Sequence, residues 1–122
     1  MSGSLPADVA EVLVAVLDGD DPVHAALLRQ MPYLRVAGCC GCGCESPDFE
    51  LDRSQVEPAP VEPGTFVAAE VPLFTESGDC PGMVMVFTRG GYLAWLDICS
   101  WSDDVEVNLS NAVRWLRGPR RT

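Results

Sequence analysis

Four of the six cysteines lie close together, in a segment that reads Gly-Cys-Cys-Gly-Cys-Gly-Cys over residues 38–44. Glycine adopts the backbone conformations that a tight loop requires, so this segment could turn several sulfurs towards one point. Cys39 and Cys42 have the CxxC spacing that commonly supplies two zinc ligands, and Cys42 and Cys44 have CxC spacing. The segment therefore predicts a loop able to bind a soft metal ion, with zinc as the first expectation and Cu(I) as an alternative.

Two further cysteines, Cys80 and Cys99, stand apart in the sequence and could complete a tetrahedral set from other strands. The candidate metal ligands are therefore Cys39, Cys40, Cys42, Cys44, Cys80 and Cys99. We expect such a metal to be structural rather than catalytic. The alternative interpretation is that these cysteines are small buried apolar residues at the end of a strand and in a hairpin. A redox disulfide is a lesser option, because neighbouring cysteines close strained rings.

The remaining reactive residues argue against catalysis. The chain has no lysine, which excludes P-loop and Schiff-base chemistry. His24 is the only histidine, and its place in the first turn of a short helix predicts an exposed side chain. A catalytic thiol at Cys42 or Cys44 would need a positive neighbour, and the nearest in sequence is Arg35. We therefore predict a non-enzymatic protein, with a thiol enzyme as the weaker alternative.

The charge of the chain predicts which partners it avoids. The formal net charge is −10, and the residues up to Val113 carry 18 acids against four arginines, a net charge of −14. Such a body repels phosphate backbones and anionic lipid headgroups, so we expect neither nucleic-acid nor membrane binding. The second functional hypothesis is an acidic interaction module, similar to immunity proteins and small inhibitors, that binds a basic protein.

A candidate surface for that partner lies on one predicted strand, in which Trp95, Cys99 and Trp101 alternate along one face with Asp97 among them. If this face is open, Trp95 and Trp101 form an aromatic patch of the kind that anchors partners. If helices cover it, the same residues belong to the core. Core packing is the favoured alternative, and Asp97 weakens it somewhat, because a buried carboxylate needs a partner.

Hydrophobic periodicity indicates the elements that position these residues. Helical spacing runs from Val9 to Leu17, and a second helix begins at the Asp21 cap and ends at Pro32. Strand patterns follow at Tyr33–Ala37, Asp48–Asp52, Thr65–Thr75, Met83–Thr88 and Tyr92–Ser100, and Asn108 or Ser110 caps a last helix. Pro72 predicts an edge strand or a bulge. The apolar character of both faces of Tyr92–Ser100 predicts a central strand.

This order predicts an α+β fold with an N-terminal helical hairpin, an antiparallel sheet of about five strands and a C-terminal helix. Residues 1–122 are expected to form one domain with flexible ends at 1–4 and 118–122. No basic secretory segment is visible, and no apolar run approaches the roughly 18 residues that span a bilayer. We therefore expect a cytoplasmic protein whose thiols stay reduced.

Two segments carry a resemblance to other proteins. Leu34 to Cys44, leading to Ser46-Pro47-Asp48-Phe49, is one, and Gly91-Tyr92-Leu93-Ala94-Trp95-Leu96-Asp97 with Ser100-Trp101-Ser102-Asp103 is the other. Together they resemble a group of small bacterial proteins typical of GC-rich genomes, over residues 25–104. The resemblance implies one compact domain. It implies no activity and no functional residue.

Overall fold

A computed structural model describes residues 5–39, 47–61 and 64–117. Its helices are α1 (Ala7–Val16), α2 (Pro22–Gln30), a short 3-10 helix (Met31–Tyr33) and α3 (Leu109–Arg117). Its strands are β1 (Leu34–Cys39), β2 (Pro47–Leu51), β3 (Thr65–Leu73), β4 (Gly82–Arg89) and β5 (Tyr92–Ser100). The predicted α+β fold is confirmed, with two N-terminal helices, a five-stranded antiparallel sheet and a C-terminal helix. Residues 40–46 lie outside the described residues. So do the two chain ends, 1–4 and 118–122, which were predicted to be flexible.

The sheet has the strand order β1-β2-β5-β4-β3, and every pairing is antiparallel. β5 is central, as its apolar faces predict. β3 is an edge strand that contains Pro72 and has a register shift between Val67 and Ala69. Of the two alternatives predicted from Pro72, the edge position is the one that occurs, because Pro72 pairs regularly with Met83 and the register shift lies elsewhere in β3. Edge strands tolerate proline because its missing N–H is not needed for pairing.

The β4–β5 hairpin fixes the register of these two strands. Arg89 pairs with Tyr92, so Gly90 and Gly91 form a two-residue turn. Their φ angles are +62° and +87°, in the left-handed region that this type of hairpin turn requires. A Cβ on Gly91 would also lie 2.8 Å from the carbonyl oxygen of Ala59, so glycine is required there for space as well.

Local capping explains where the helices begin. The Asp21 carboxylate accepts hydrogen bonds from the N–H groups of Val23 and His24 at 2.8 and 3.2 Å, as its position before Pro22 predicts. At α3 the side chain of Asn108 accepts from the N–H of Asn111 at 2.9 Å. Asn108 is therefore the cap, rather than the alternative Ser110.

The helices cover one face of the sheet and enclose the core. Buried core residues come from α1, α2, α3 and the strands: Val9, Val12, Leu13, Leu27, Leu73, Val84, Val86, Leu96, Ile98 and Ala112. Along β4 buried residues alternate with half-buried ones, which places Val84 and Val86 under the helices and their neighbours on the other side. Among the described residues, no helix is long and apolar enough to cross a membrane.

His24 differs from its prediction, because it is half-buried and has a contact on each ring nitrogen. The N–H of Asp18 donates to Nδ1 at 2.8 Å, so Nδ1 is an acceptor. Nε2 lies 2.8 Å from the carbonyl oxygen of Ala68 and therefore carries the donated hydrogen. The ring thus connects the turn between α1 and α2 to the bulge in β3.

Candidate functional site

The side of the sheet opposite the helices is the candidate site, and we call it the open face. Register and alternation place Tyr92 and Cys99 on it, opposite Arg89 and Met83, together with six further apolar and six charged residues. They are Val67, Pro72, Met83, Met85, Phe87 and Trp95, together with Arg35, Asp48, Glu50, Glu70, Arg89 and Asp97. The apolar members are half-buried or exposed, and Val67 is 41% exposed. Antiparallel sheets commonly have one face packed on the core and one open to solvent, and the partial exposure of these side chains agrees with the second kind of face.

An apolar row crosses the open face from strand to strand. Val67 of β3 pairs with Phe87 of β4, Phe87 pairs with Trp95 of β5, and Trp95 pairs with Asp48 of β2. The rings of Phe87 and Trp95 are stacked, with 4.4 Å between centroids and 9° between planes. Stacked aromatic pairs stabilise each other beyond the area they bury. The row therefore presents a preformed aromatic surface that ends at a carboxylate.

A second apolar row runs along β4 through Met83, Met85 and Phe87. Met85 pairs with Glu70 on one side and with Asp97 on the other. A flexible, polarizable methionine is thus flanked by carboxylates on both neighbouring strands. Methionine adapts to partners of different shape, which is why it is frequent on surfaces that bind other proteins.

The charges on the open face are predominantly negative, since four carboxylates face two guanidinium groups. Arg35 is engaged by Glu50 at 3.1 Å, in a pair whose side chains are 49% and 59% exposed. The guanidinium of Arg89 lies over the Trp95 ring, 5.5 Å from its centroid. Both arginines are therefore held by neighbours on the same face, and the four carboxylates outnumber them.

The predicted partner-binding residues occupy two places. Trp95 and Asp97 both lie on the open face. Trp101 follows the end of β5, where it is 60% exposed and its indole N–H donates to the carbonyl of Cys80 at 2.8 Å. Six extended residues separate the two tryptophans, which is roughly 20 Å along the strand direction. A patch that joins Trp95 to Trp101 therefore stays a prediction.

The candidate metal ligands are only partly described. The backbone of Cys39 ends β1 opposite Pro47, while Cys40, Cys42 and Cys44 lie outside the described residues. Cys80 and Cys99 carry half-buried thiols, and the Cys80 thiol lies 3.5 Å from the Gly82 carbonyl as a weak donor. Within the described ranges, no three histidine, cysteine or acidic side chains are grouped to hold a metal ion. The metal site predicted from the cysteine run stays a prediction.

Sequence reasoning missed the β4 contribution to the open face. Met83, Met85 and Phe87 were recognised as strand residues but not as a surface, and Glu70 was not singled out. The available signal is that both alternating sets of β4 are apolar, although only one of them can face the helices. A strand with two apolar faces, next to a carboxylate-bearing edge strand, indicates a second contact surface.

No protein-family model, curated protein or solved structure significantly matches the chain. The resemblance to small bacterial proteins therefore stays a prediction.

Proposed function

We propose that this chain is a protein-interaction module whose open face binds a partner that presents basic and apolar side chains together. The observation that carries the proposal is the position of Met85, which lies in an apolar row and pairs with Glu70 and Asp97 on either side. Apolar burial would supply most of the binding free energy, and the carboxylates would select for positive charge.

Charge distinguishes between the classes of partner. A phosphate backbone or an anionic bilayer would be repelled by the carboxylates of the open face and by the net charge of −10. A second copy of the chain would bring the same carboxylates against each other, which is unfavourable in an isologous interface. A basic protein has the complementary charge. Its basic site would be covered on binding, which is how a small acidic inhibitor would act.

The test is site-specific photo-cross-linking in the native cell, with a photoreactive residue in place of Met85. A matched control carries it in place of Val14, which is 60% exposed on α1. We expect a basic protein to be cross-linked at position 85 and not at position 14. The purified partner should then bind the wild-type chain, and its affinity should fall as salt increases.

Two outcomes would contradict this proposal. Identical proteins recovered from both positions would mean that the open face selects nothing. A purified partner that binds Met85→Glu and Phe87→Ser variants as tightly as the wild type would place its site elsewhere. The Val14→Glu variant is the control for added negative charge, because it changes an apolar residue on the helical side.

We propose a second candidate function, a thiol-ligated zinc site, because of the directions in which the strands run. β1 ends at Cys39, β5 ends next to Cys99, and Cys80 lies two residues before β4 begins. The antiparallel pairings put these three points at the same end of the sheet. Because the backbones of Cys39, Cys80 and Cys99 lie at one end of the sheet, their positions support a common site for the six cysteines.

Native mass spectrometry of chain purified without added metal tests the second candidate. A mass excess of one zinc that disappears on denaturation supports it, and replacing Cys42 and Cys44 by serine should then abolish the excess. Equal native and denatured masses with six reactive thiols would overturn it. Cys99 pairs with Met83 of the open face, so a zinc site would lie beside that surface. The two tests remain separate, because the cross-link is placed at Met85, which is not a metal ligand.

A further inference from the structure

We infer that the partner segment seated on the open face is an amphipathic helix with basic residues along both flanks of its apolar stripe. The inference rests on the proposed function and specifies the shape of the partner. It follows from the length of the apolar row on β4, the two-sided placement of carboxylates beside it, and the kind of backbone that can lie on a sheet face.

The apolar row has the length of a short helix. Met83, Met85 and Phe87 cover four residue steps of β4, which is roughly 13 Å. At 1.5 Å per residue a helix of about nine residues covers the same distance. Two to three helical turns therefore suffice to bring apolar side chains at positions i, i+3, i+4 and i+7 onto the whole row.

The carboxylates match the two sides of such a helix. Glu70 lies one strand from Met85 on β3, and Asp97 lies one strand from it on β5. Their backbones are thus about 10 Å apart, which is close to the diameter of a helix with its side chains. A helix lying along β4 would place arginine or lysine side chains from its left and right flanks over Glu70 and Asp97. A segment with charge on one side only would reach only one of these two carboxylates.

The backbone of the partner also favours a helix. A sheet face offers side chains and no backbone donors or acceptors, so an added strand could not satisfy its own N–H and C=O groups there. A helix satisfies these groups internally and can lie directly on apolar side chains. The aromatic row would then contact one end of the helix, where Trp95 and Phe87 present a rigid surface next to the Asp48 carboxylate.

The test uses three helix-stabilised synthetic peptides of about four turns. One has a leucine stripe with arginines on both flanks, the second is a scramble of the same composition without a stripe, and the third has glutamates in place of the arginines. Binding to the full chain is measured by fluorescence anisotropy, and the contact site is mapped by amide chemical shifts. The first peptide should perturb β4 and β5 residues of the open face and bind about tenfold more tightly than the scramble.

Variants of the chain separate the apolar contribution to peptide binding from the electrostatic contribution. Met85→Glu should weaken the first peptide about tenfold, because it places a charge in the apolar row. Glu70→Gln should weaken it about threefold and reduce its salt dependence, because it removes one flanking charge. Val14→Glu should leave its affinity unchanged. An unchanged affinity in Glu70→Gln would remove the two-flank argument and overturn the inference.

The remaining outcomes distinguish this inference from the proposal on which it rests. Equal binding of the striped and scrambled peptides at the open face would overturn the helix and retain the docking proposal. Failure of every peptide, together with a basic partner cross-linked at position 85, would also overturn only the helix. Failure of every peptide without such a partner would overturn both.

Discussion

The indole ring of Trp95 stacks on the phenyl ring of Phe87, with centroids 4.4 Å apart, on the side of the sheet that the helices leave uncovered. The two residues are directly paired across β4 and β5. Cross-strand aromatic pairs contribute to sheet stability as well as to the surface they present. The stack therefore helps to hold β4 and β5 in register and restricts the motion of the Trp95 ring.

A double-mutant cycle measures the stack. Phe87→Leu and Trp95→Leu each keep an apolar side chain and lose the ring pair, so their combined effect on unfolding free energy should be less than additive. We expect a coupling energy of about 1 kcal/mol from urea unfolding. Val67→Leu with Trp95→Leu is the control cycle, because Val67 has no ring to stack. A coupling energy near zero would mean that the ring geometry does not stabilise the hairpin.

The imidazole of His24 is predicted to be a stabilising contact between the helical hairpin and β3. It accepts from Asp18 at Nδ1 and donates to Ala68 from Nε2. His24→Ala removes both hydrogen bonds and should lower the unfolding free energy by about 2 kcal/mol. Arg29→Ala, on the exposed side of α2, is the control and should change it by less than about 0.5 kcal/mol. Nitrogen NMR of the neutral ring should show the Nε2–H tautomer; a mixture of tautomers would contradict the assignment.

Gln30 is predicted to be the most sensitive polar residue of the core. It is fully buried, accepts from the N–H of Leu93 at 2.9 Å and donates to the carbonyl of Gly91 at 2.9 Å. Gln30→Leu leaves the Leu93 N–H without its acceptor, and we expect a loss of about 2 kcal/mol in unfolding free energy. The exposed Gln55→Leu is the matched control. Equal urea midpoints for the two variants would mean that water replaces the lost side chain.

The part of the fold that was predicted from sequence depends on local signals. Asp21 before Pro22 indicates a helix start within three residues, and Gly90-Gly91 between two apolar runs indicates a hairpin. These patterns act over a few residues, so their physical cause is visible in the sequence. The central position of β5 follows from the apolar character of both its faces, which is also a property of one segment.

The open face and the role of Gln30 depend on distant pairings. Gln30 contacts Leu93, 63 positions away, and nothing near it in sequence indicates that partner. On β4, Val84 and Met85 are both apolar, so alternation alone leaves open which set faces the helices. Only the strand order places Glu70 and Asp97 on either side of Met85. His24 was predicted to be exposed from its place in the first turn of a short helix. Its two backbone partners, in a turn and in the bulge of β3, are not indicated by the residues around it.

The turn at Asp52 predicts a pH-dependent effect. The Asp52 carboxylate accepts two hydrogen bonds from Ser54, one from the hydroxyl at 2.6 Å and one from the backbone N–H at 3.0 Å. These bonds hold the pKa of Asp52 below its ordinary value. A lowered pKa contributes stability above the unfolded pKa, and that contribution is lost as the pH falls through the folded value. Ser54→Ala removes the larger cause and should raise the pKa of Asp52 towards the ordinary value, as measured by carboxyl NMR titration. An unchanged titration would mean that the hydroxyl bond is not formed in solution. Ser77→Ala, in another exposed turn, should leave it unchanged.

The adjacent glycines of the β4–β5 turn provide a matched pair that separates backbone strain from lack of space. Both have positive φ, so alanine at either position should cost about 1 kcal/mol for the left-handed conformation. At Gly90 the nearest atom to an added Cβ is the Arg53 Nη1 at 3.9 Å, which is ordinary contact.

At Gly91 an added Cβ would lie 2.8 Å from both the Ala59 carbonyl oxygen and the Pro58 Cβ. The Gly91 carbonyl also accepts from Ala59 at 2.7 Å and from Gln30, so a shift of this residue disturbs both bonds. Gly91→Ala should therefore destabilise the protein more than Gly90→Ala, by about 1–3 kcal/mol in urea unfolding. If the two variants unfold at the same urea concentration, the segment around Ala59 must move away from the added Cβ without lowering the unfolding free energy. In that case Gln30 rather than the close approach of Gly91 would hold that segment against the hairpin.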